Sequence, residues 1–412
     1  MILIKNAKLI DPLSEIYANK DILIKDGKIE KIQDNIDPLG NEEIIEGKDL
    51  FVSPGFIDIH VHFREPGFTE KETIYTGSKS AAAGGYTTVV NMANTKPIVD
   101  SEEVVDFIKE KSKSAVIEVL QTSAVTKNFD GKTLVDFEKM KELGVVGFTD
   151  DGIPLMDPQV LKQAMEEVKK LDMPISLHEE DPRLIKHNGI NKYSNALAEN
   201  VLVARDIVIA LETQAKLNIQ HISSKVSVEL VRWAKKMGAN VTSEVTPHHF
   251  SLTQEAVDKY GSNAKMNPPL REKSDLEAII EGLKDGTIDI IATDHAPHTK
   301  EEKDKELTKA PSGIIGLETA FALAITNLYE KGHLSLMQII EKLTINPAKL
   351  YNLDRGYIKE GHRADLVIFS IDERFNKSSF YSKSNNTPFK DIDLKGKIKY
   401  TISNGKIVFE DR

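Results

Sequence analysis

Residues 54–62 read Pro-Gly-Phe-Ile-Asp-Ile-His-Val-His, an apolar β-run that ends in polar side chains. A helical stretch follows, and the same alternation recurs along the chain. We count eight such β-runs, over 56–60, 88–92, 117–121, 145–149, 175–178, 219–221, 241–244 and 288–293. Eight strands that alternate with helices predict an α/β fold, a closed (β/α)8 barrel of the TIM type. An open doubly wound sheet is the alternative, but no phosphate-binding glycine motif follows the first run.

The stretches between the β-runs carry helical signals. Apolar side chains recur at helical spacing between residues 159 and 171, at Val160, Leu161, Ala164, Met165 and Val168. Gly144 and Gly238 stand where a C′ glycine ends a helix. We therefore predict a helix between successive strands, as a barrel of this type requires.

Short β-rich runs occupy both ends of the chain. Asp26-Gly27 is a hairpin signal near the start, and Asn404-Gly405 is a second one near the end. We predict that the two ends form one small β-sandwich domain, and two separate β appendages are the alternative. The predicted domains are the barrel over 53–355 and the small domain formed by 1–52 and 356–412.

Composition limits the classes of function. A chain of 412 residues suits a barrel plus one small domain. The net charge of −10 argues against nucleic acid or an anionic membrane as the main partner. The chain has no cysteine, so disulfides are excluded and a metal must be held by His, Asp or Glu. No apolar run of ~18 residues is present. The first residues do not resemble a signal peptide, so we expect a cytoplasmic enzyme.

Histidines concentrate at the predicted carboxyl ends of the strands, where barrel active sites are built. Eight of the eleven lie there, namely His60, His62, His178, His221, His248, His249, His295 and His298. The other three, His187, His333 and His362, fall elsewhere, and we interpret them as surface or structural residues.

Four of these histidines are candidate metal ligands. In a strand, residues i and i+2 point the same way, so His60 and His62 can face one ion. His178 and His221 end the fifth and sixth β-runs and add two more nitrogen donors. Each alone is more typical of a structural histidine, but together they converge from three strands.

Two aspartates complete the predicted metal centre. Asp294 ends the eighth run, where a carboxylate can touch a metal and exchange a proton with its bound water. Asp151 follows the fourth run and could bridge two ions through its two oxygens. Four histidines and two aspartates suit Zn²⁺ or a similar divalent ion, which lowers the pKa of bound water and polarises a carbonyl. This chemistry cleaves or forms an amide-like bond.

Residues 299–309, which follow the last β-run, are rich in charge. A solvated loop is one interpretation. The other is a mobile lid over the active site, because the segment follows the end of a barrel strand.

These motifs resemble those of the cyclic amidohydrolases, and more narrowly those of the bacterial class I dihydroorotases. The resemblance covers essentially the full chain. The stretches that carry it most specifically are 54–67, 91–97, 148–152, 246–249, 265–271 and 293–298.

The Asp-Asp-Gly sequence at 150–152 is the most discriminating of these motifs. Hydantoinases, allantoinases and several other dihydroorotases have a lysine in this region, carboxylated to bridge two metals. The class I pattern has aspartate instead. The resemblance therefore implies that Asp151 is the bridging ligand and that Asp150 is its neighbour rather than a ligand.

The resemblance also implies a reaction. N-carbamoyl-L-aspartate closes reversibly to L-dihydroorotate with loss of water, a step of pyrimidine (UMP) biosynthesis, with one or two Zn²⁺ per chain. In the ring-opening direction, metal-activated water attacks the ring amide carbonyl, and Asp294 acts as general acid/base and protonates the leaving nitrogen.

The substrate of that family carries a carboxylate, to which the Arg64 guanidinium can donate two hydrogen bonds. The other positions expected to bind substrate are His62, Asn94, Asn267, His298, Ser312 and Gly313. Ser312 stands where the family typically has a bulky residue. A surface ion pair with Glu65 or Glu72 is the alternative role for Arg64, and loop turn formation is the alternative for the two asparagines.

Two other functions compete with this interpretation. A hydantoinase-like or allantoinase-like enzyme would keep the fold and the metal and change the substrate. A non-catalytic dihydroorotase-like scaffold of aspartate transcarbamoylase belongs to a different class, but such relatives lose metal-binding histidines, which this chain keeps. We expect a small-molecule substrate and a homo-oligomer. The sequence leaves a partnership with aspartate transcarbamoylase open.

Overall fold

The chain is represented by a computed structural model, which describes residues 1–185 and 196–411. Within these ranges the strands are β1 (Ile2–Asp11), β2 (Ile16–Lys25), β3 (Lys28–Gln33), β4 (Glu43–Glu46), β5 (Phe51–Pro54), β6 (Phe56–Val61), β7 (Tyr86–Asn91), β8 (Glu118–Gln121), β9 (Pro174–Leu177), β10 (Lys216–Ile219), β11 (Val241–Val245), β12 (Ile290–Ile291), β13 (Leu366–Phe375), β14 (Leu394–Ser403) and β15 (Lys406–Glu410). The helices in the same ranges are α1 (Ile74–Ala83), α2 (Glu102–Ser112), α3 (Phe137–Glu142), α4 (Pro158–Lys170), α5 (Leu197–Thr213), α6 (Lys225–Lys236), α7 (Ala256–Tyr260), α8 (Lys273–Lys284), α9 (Lys300–Lys303), α10 (Ala320–Ala324), α11 (Leu336–Leu343) and α12 (Ile345–Leu350).

The predicted barrel is confirmed. Strands β6, β7 and β8 pair in parallel, as do β9 to β12. Single parallel bridges join the two sheets: Phe148 pairs with Ser123 and Ile175 on one side, and Val61 pairs with His295 on the other. The sheet therefore closes on itself, and the fourth β-run contributes one bridging residue rather than a full strand.

The sixth strand ends earlier than the sequence pattern suggests. We predicted 219–221, but β10 covers Lys216–Ile219. His221 has a φ of 32°, in the left-handed region, so the backbone leaves the extended conformation there. This turn lets the histidine leave the strand and enter the barrel mouth.

Helices pack around the barrel as the apolar spacing predicts. Asp157 caps α4 by accepting hydrogen bonds from the backbone of its first turn, and Pro158 follows at the first helical position. One face of α4 is buried, through Leu161, Ala164, Met165 and Val168. Gly144 and Gly238, with φ of 79° and 84°, follow the ends of α3 and α6, as expected for C′ glycines.

Strands from both ends of the chain form one eight-stranded sheet, in the order β15-β14-β13-β5-β1-β2-β3, with β4 paired to β1. Both predicted hairpin turns are confirmed, between β2 and β3 and between β14 and β15. The two turns also meet, because the Ala364 N–H donates to Gly27 O and the Gly405 N–H donates to Ala364 O. The sheet therefore folds into a β-sandwich around its own apolar core. This core includes Leu9, Ile22, Val52, Leu366 and Ile402.

The segment between β13 and β14, residues 376–393, leaves this sheet and lies against the barrel. Ser382, Ser384 and Asn386 are buried there. Among the described helices, none combines the length and the apolar character needed to cross a membrane.

Candidate active site

The six predicted metal-binding side chains converge at the carboxyl end of the barrel. They come from the ends of β6, β9, β10 and β12 and from the segment after Phe148, and all are buried: His60, His62, Asp151, His178, His221 and Asp294. Ligand atoms of five of them form two groups that share Asp151, namely His60, His62 and Asp151, and Asp151, His178 and His221.

The first group surrounds the two histidines at the end of β6. His60 Nε2 lies 3.5 Å from Asp151 Oδ1, and His62 Nε2 lies 3.4 Å from Asp151 Oδ2. Asp294 joins them, with Oδ1 at 3.0 Å from His62 Nε2 and 3.6 Å from His60 Nε2. Two imidazoles and two carboxylates therefore face one point.

The second group lies on the other side of Asp151. Its Oδ1 atom is 3.8 Å from His178 Nδ1 and 3.6 Å from His221 Nε2. These two nitrogens are 3.0 Å apart. Asp151 is the residue common to both groups, which is the position that a ligand bridging two ions would occupy.

The donor set fits a divalent metal. His60 Nε2 and Asp151 Oδ1 are buried and have no hydrogen-bond partner among the described residues. Buried polar atoms left in this way are costly unless something binds them. Imidazole nitrogens with carboxylate oxygens are ligands that zinc and similar ions prefer.

The histidines and carboxylates of the centre shift one another's pKa values. Burial by itself would lower the pKa of His60, but the carboxylates of Glu244 and Asp151 raise it well above the usual value. Burial would raise the pKa of Asp294, but His60 and His62 lower it below its usual range. The lowered pKa keeps Asp294 in its carboxylate form at neutral pH.

Asp150 faces away from the cluster. Its carboxylate accepts hydrogen bonds from the backbone N–H groups of Val125 and Thr126, at 2.7 and 3.1 Å, and from the Thr126 hydroxyl at 2.6 Å. Burial raises the pKa of Asp150 to about 6. Asp150 thus fixes the loop, while Asp151 points at the histidines.

Two carboxylates around His60 were not predicted from the sequence. The His60 Nδ1–H donates to Glu244 Oε1 over 2.5 Å, and Asn218 Nδ2 donates to the other oxygen at 3.1 Å. Asp58 accepts from the backbone of His60 and of Thr293, and so ties the first barrel strand to the eighth. The sequence did offer one signal for Glu244, since it is an acidic residue that ends the seventh β-run.

The other histidines are also oriented by neighbouring side chains. The His62 Nδ1–H donates to Asn94 Oδ1 at 2.9 Å, which leaves Nε2 free to bind a metal. Glu180 lies 3.2 Å from His178 Nε2, on the side away from the cluster. Such contacts fix the rotation of each ring and the nitrogen that it presents.

Three residues at this mouth other than glycine have left-handed backbones. The φ angles are 54° at Arg64, 32° at His221 and 47° at Asp294. Side chains rarely adopt this conformation, and it concentrates at functional sites. Each such turn directs a polar side chain towards the cavity.

A cavity of about 210 Å³ opens above the cluster. All seven residues predicted to bind substrate line it, and so do five of the six predicted metal ligands, with His62 belonging to both sets. The full lining consists of His62, Arg64, Asn94, Asp151, Gly152, His178, His221, Asn267, Asp294, Ala296, His298, Ser312 and Gly313.

Arg64 lies over this cavity. Its Nε–H donates to Pro297 O at 3.3 Å. In the parts of the chain that the structure describes, it forms no ion pair with Glu65 or Glu72. Those carboxylates accept from the Ile74 backbone and the Ser382 hydroxyl. Arg64 is therefore placed to meet a ligand in the cavity.

Asn267, His298 and Ser312 form a small hydrogen-bonded unit in the cavity wall. The Ser312 hydroxyl donates to Asn267 Oδ1 at 3.2 Å, and the His298 Nε2–H donates to Ser312 O at 2.8 Å. Burial, followed by the nearby Arg64 charge, lowers the pKa of His298 to about 3, so its ring is neutral at pH 7. Gly313 has a φ of 119°, and a Cβ there would lie 2.7 Å from Ala296 Cβ.

Among the described residues, the histidines outside the predicted site do not line the cavity. His249 bonds to Thr246 and Pro268 O, and His295 accepts a hydrogen bond from the Gly316 backbone. His248 is buried near the centre but outside the cavity lining. His333 and His362 are partly exposed and lie elsewhere. His187 lies outside the described residues.

Two lysines tie down the charged segment at 299–309 and the loop that follows it. Lys265 Nζ donates to Leu307 O and Ala310 O, each at 2.7 Å. Lys303 Nζ donates to Pro311 O at 3.0 Å and to Gly313 O at 2.9 Å. The charge run is therefore only partly solvated, since Lys303 is 5% exposed.

Comparison with known proteins agrees with this geometry. The model of the amidohydrolase family matches residues 51–408. The dihydroorotase of Clostridioides difficile (strain 630) is 58% identical and covers 99% of this chain and 100% of its own length. The dihydroorotase of Clostridium acetobutylicum is 54% identical and covers 100% of both chains.

A solved structure shares the whole fold. The L-hydantoinase (dihydropyrimidinase) of Arthrobacter aurescens matches with a TM-score of 0.91 and 26% identity, over 99% of this chain and 96% of its own.

The chain belongs to the amidohydrolase family, on a barrel with a β-sandwich domain. It is a metal-dependent hydrolase acting on cyclic amides, and its substrates are small molecules. Within that family it belongs to the dihydroorotases, which it matches along its whole length.

Proposed function

We propose that the cavity interconverts N-carbamoyl-L-aspartate and L-dihydroorotate with loss or gain of water, as a step of pyrimidine biosynthesis. One observation carries this proposal: four histidines and two aspartates meet below a cavity whose walls hold a single cationic side chain among the residues described. The cluster of histidines and aspartates suits hydrolysis of an amide, and the cationic side chain suits a substrate with a carboxylate.

We propose Zn²⁺ as the metal, with one or two ions held by His60, His62, Asp151, His178, His221 and Asp294. When bound, the metal would lower the pKa of water and polarise the amide carbonyl. Asp151 would join the two halves of the site, because its carboxylate lies within 4 Å of histidines from both groups. Glu244 and Asn94 would hold the imidazoles in position.

Asp294 is the proposed general acid/base. Its side chain lies at the cavity wall and is 10% exposed, so it can reach a reacting group while remaining shielded from bulk water. In the ring-opening direction it would take a proton from the attacking water and give it to the leaving ring nitrogen. Ring closure reverses these transfers.

Arg64 is the proposed partner of the substrate carboxylate. Its Nε–H donates to Pro297 O, so the two terminal nitrogens remain to donate two hydrogen bonds to the substrate carboxylate. Asn94, Asn267, His298, Ser312 and Gly313, which line the same cavity, would contact the ring and its amide groups. Hydantoin and allantoin lack this carboxylate and would leave the guanidinium unpaired in the site.

A side-by-side assay on dihydroorotate, hydantoin and allantoin tests the proposal. We expect hydrolysis of dihydroorotate and little activity on the other two. Arg64→Lys should raise KM for dihydroorotate, because lysine keeps the charge but loses the planar fork. Activity confined to hydantoin or allantoin would overturn the substrate assignment and favour the hydantoinase-like alternative.

Location and assembly belong to the same proposal. We propose a cytoplasmic homo-oligomer, and sedimentation of the purified chain would measure its assembly state. Co-sedimentation with aspartate transcarbamoylase would test whether the two enzymes associate. An absence of bound metal and activity would favour the scaffold alternative.

A further inference from the structure

The segment at 376–393, between β13 and β14, reaches from the small domain to the barrel mouth. Two buried barrel carboxylates anchor it. Glu72 accepts from the Ser382 hydroxyl and from the Lys383 backbone, and Glu318 accepts from the backbone of Tyr381 at 2.8 Å. The two barrel carboxylates thus bind both backbone and side-chain groups of this segment.

Asn386, within this segment, uses its whole side-chain amide to join two loops of the cavity wall. Its Nδ2 group donates to Ala296 O at 3.0 Å and to Gly313 O at 3.1 Å. Its Oδ1 atom accepts from the His298 backbone N–H at 3.1 Å. The Asn386 carbonyl also accepts from Ile315 N at 3.0 Å.

These bonds bring together the two loops that form one side of the cavity. One loop follows β12 and carries His298, and the other carries Gly313. Asn386 is 4% exposed and does not line the cavity itself. It therefore acts on the site through the loops that it holds.

We propose that Asn386 is a positioning residue that sets the spacing of the substrate-binding wall, so that the small domain completes the active site of the barrel. This inference rests on the proposed function, because it takes His298 and Gly313 as substrate-binding residues. A shift of about 1 Å in such a wall can cost on the order of a hundredfold in rate or affinity.

The chemistry of the contact requires an amide. Two carbonyl oxygens need donors, and one N–H group needs an acceptor, all from one short side chain. Aspartate has nearly the same shape but would place a carboxylate oxygen against Ala296 O and Gly313 O. Alanine would remove the side-chain partner of all three backbone groups, and among the described residues only Gly313 O would keep another donor, Lys303 Nζ.

The test compares Asn386→Asp and Asn386→Ala with the same changes at Asn385, the exposed neighbour of the same residue type. We expect KM for dihydroorotate to rise about ten- to a hundredfold in the Asn386 variants, with a smaller change in kcat and unchanged metal content. The Asn385 variants should behave as wild type.

Hydrogen–deuterium exchange supplies a readout that does not depend on the reaction. Exchange over 296–299 and 310–316 should quicken in both Asn386 variants and stay unchanged in the Asn385 variants. An unchanged KM, or exchange that does not quicken in either Asn386 variant, would overturn the inference. A wild-type protein without dihydroorotase activity would overturn the proposed function instead, and the exchange result would still decide the role of Asn386.

Discussion

His60 illustrates how the centre works at the scale of single residues. Its ring is fully buried, its Nδ1–H is bound to Glu244, and its Nε2 atom faces Asp151 and Asp294. A carboxylate behind a ligand histidine fixes the ring and increases its basicity. The affinity for metal therefore depends on residues that do not touch the ion.

Glu244→Gln should weaken metal binding about tenfold, because the amide keeps the shape of the side chain but removes the charge behind His60. Competition with a chromogenic chelator measures this affinity. Glu229→Gln, at an exposed position on α6, is the matched control and should bind metal as wild type does. Equal affinity in the Glu244 variant would contradict the role assigned to this carboxylate.

Asp294→Asn should lower kcat by a factor of about 10² to 10⁴, since the amide cannot accept and return a proton. The fold should remain intact, as circular dichroism and melting temperature would show. Asp304→Asn, at an exposed position of the next loop, should retain full activity. Turnover at the wild-type rate would exclude Asp294 as the general acid/base.

The sequence predicted most of the residues that meet at the site, because their positions relative to the strands can be read from the pattern. His60 and His62 share a strand face, and the other predicted ligands end their own β-runs or, like Asp151, closely follow one. Glu244 has the same kind of position but was not predicted. Nothing local distinguishes a metal ligand from the carboxylate behind one, since only the fold shows which ring it contacts.

At the scale of elements, the loop that follows β12 is held by buried lysines. Lys303 ends α9, and its amine donates to backbone carbonyls rather than to a carboxylate. Burial, together with the nearby Lys265 charge, lowers the pKa of Lys303 to about 7. The loop beside Ser312 and Gly313 is thus fastened by an amine that is close to losing its proton.

The lowered pKa of Lys303 makes the stability of the protein depend on pH. Unfolded lysine keeps its proton to about pH 10.4, so between pH 7 and 10 the unfolded chain binds more protons than the folded one at this position. The contribution of Lys303 to the unfolding free energy therefore rises with pH across that window, by at most about 1.4 kcal/mol per pH unit.

Lys303→Met should show a smaller rise in unfolding free energy between pH 7 and 10 than the wild type does. Urea denaturation at a series of pH values measures it. Lys300→Met, at an exposed position of the same helix, should keep the wild-type dependence. Identical slopes for Lys303→Met and the wild type would contradict the lowered pKa.

The barrel itself follows from apolar runs and helical spacing, but the extent of single strands does not. The fourth run forms β-bridges only at Phe148, although Val146 and Thr149 also share backbone hydrogen bonds with Gln121 and Ser123. Gly147 in this run lies against the ring of Tyr351, where a Cβ would approach to 2.8 Å. The eighth strand covers only Ile290–Ile291, and the chain turns at Asp294, where φ is 47°. Both departures come from tertiary contacts that short apolar runs do not encode.

At the scale of the whole molecule, the small domain and the barrel share one active site. The segment at 376–393 lies beside barrel residues that are far away in sequence, as with Ser382 and Glu72, 310 residues apart. No periodicity in that segment indicates such contacts, so the sequence could not predict them. The chain ends thus form a domain of their own and also buttress the cavity of the barrel.

The central claim is that the six converging side chains hold a metal that this chain needs for dihydroorotase activity. The most direct test is to strip the purified protein with a chelator and titrate Zn²⁺ back while dihydroorotate hydrolysis is followed. We predict that the stripped protein is inactive and that activity returns in proportion to bound zinc, reaching a plateau at one or two ions per chain. Full activity in protein shown to be free of divalent metal would contradict the account.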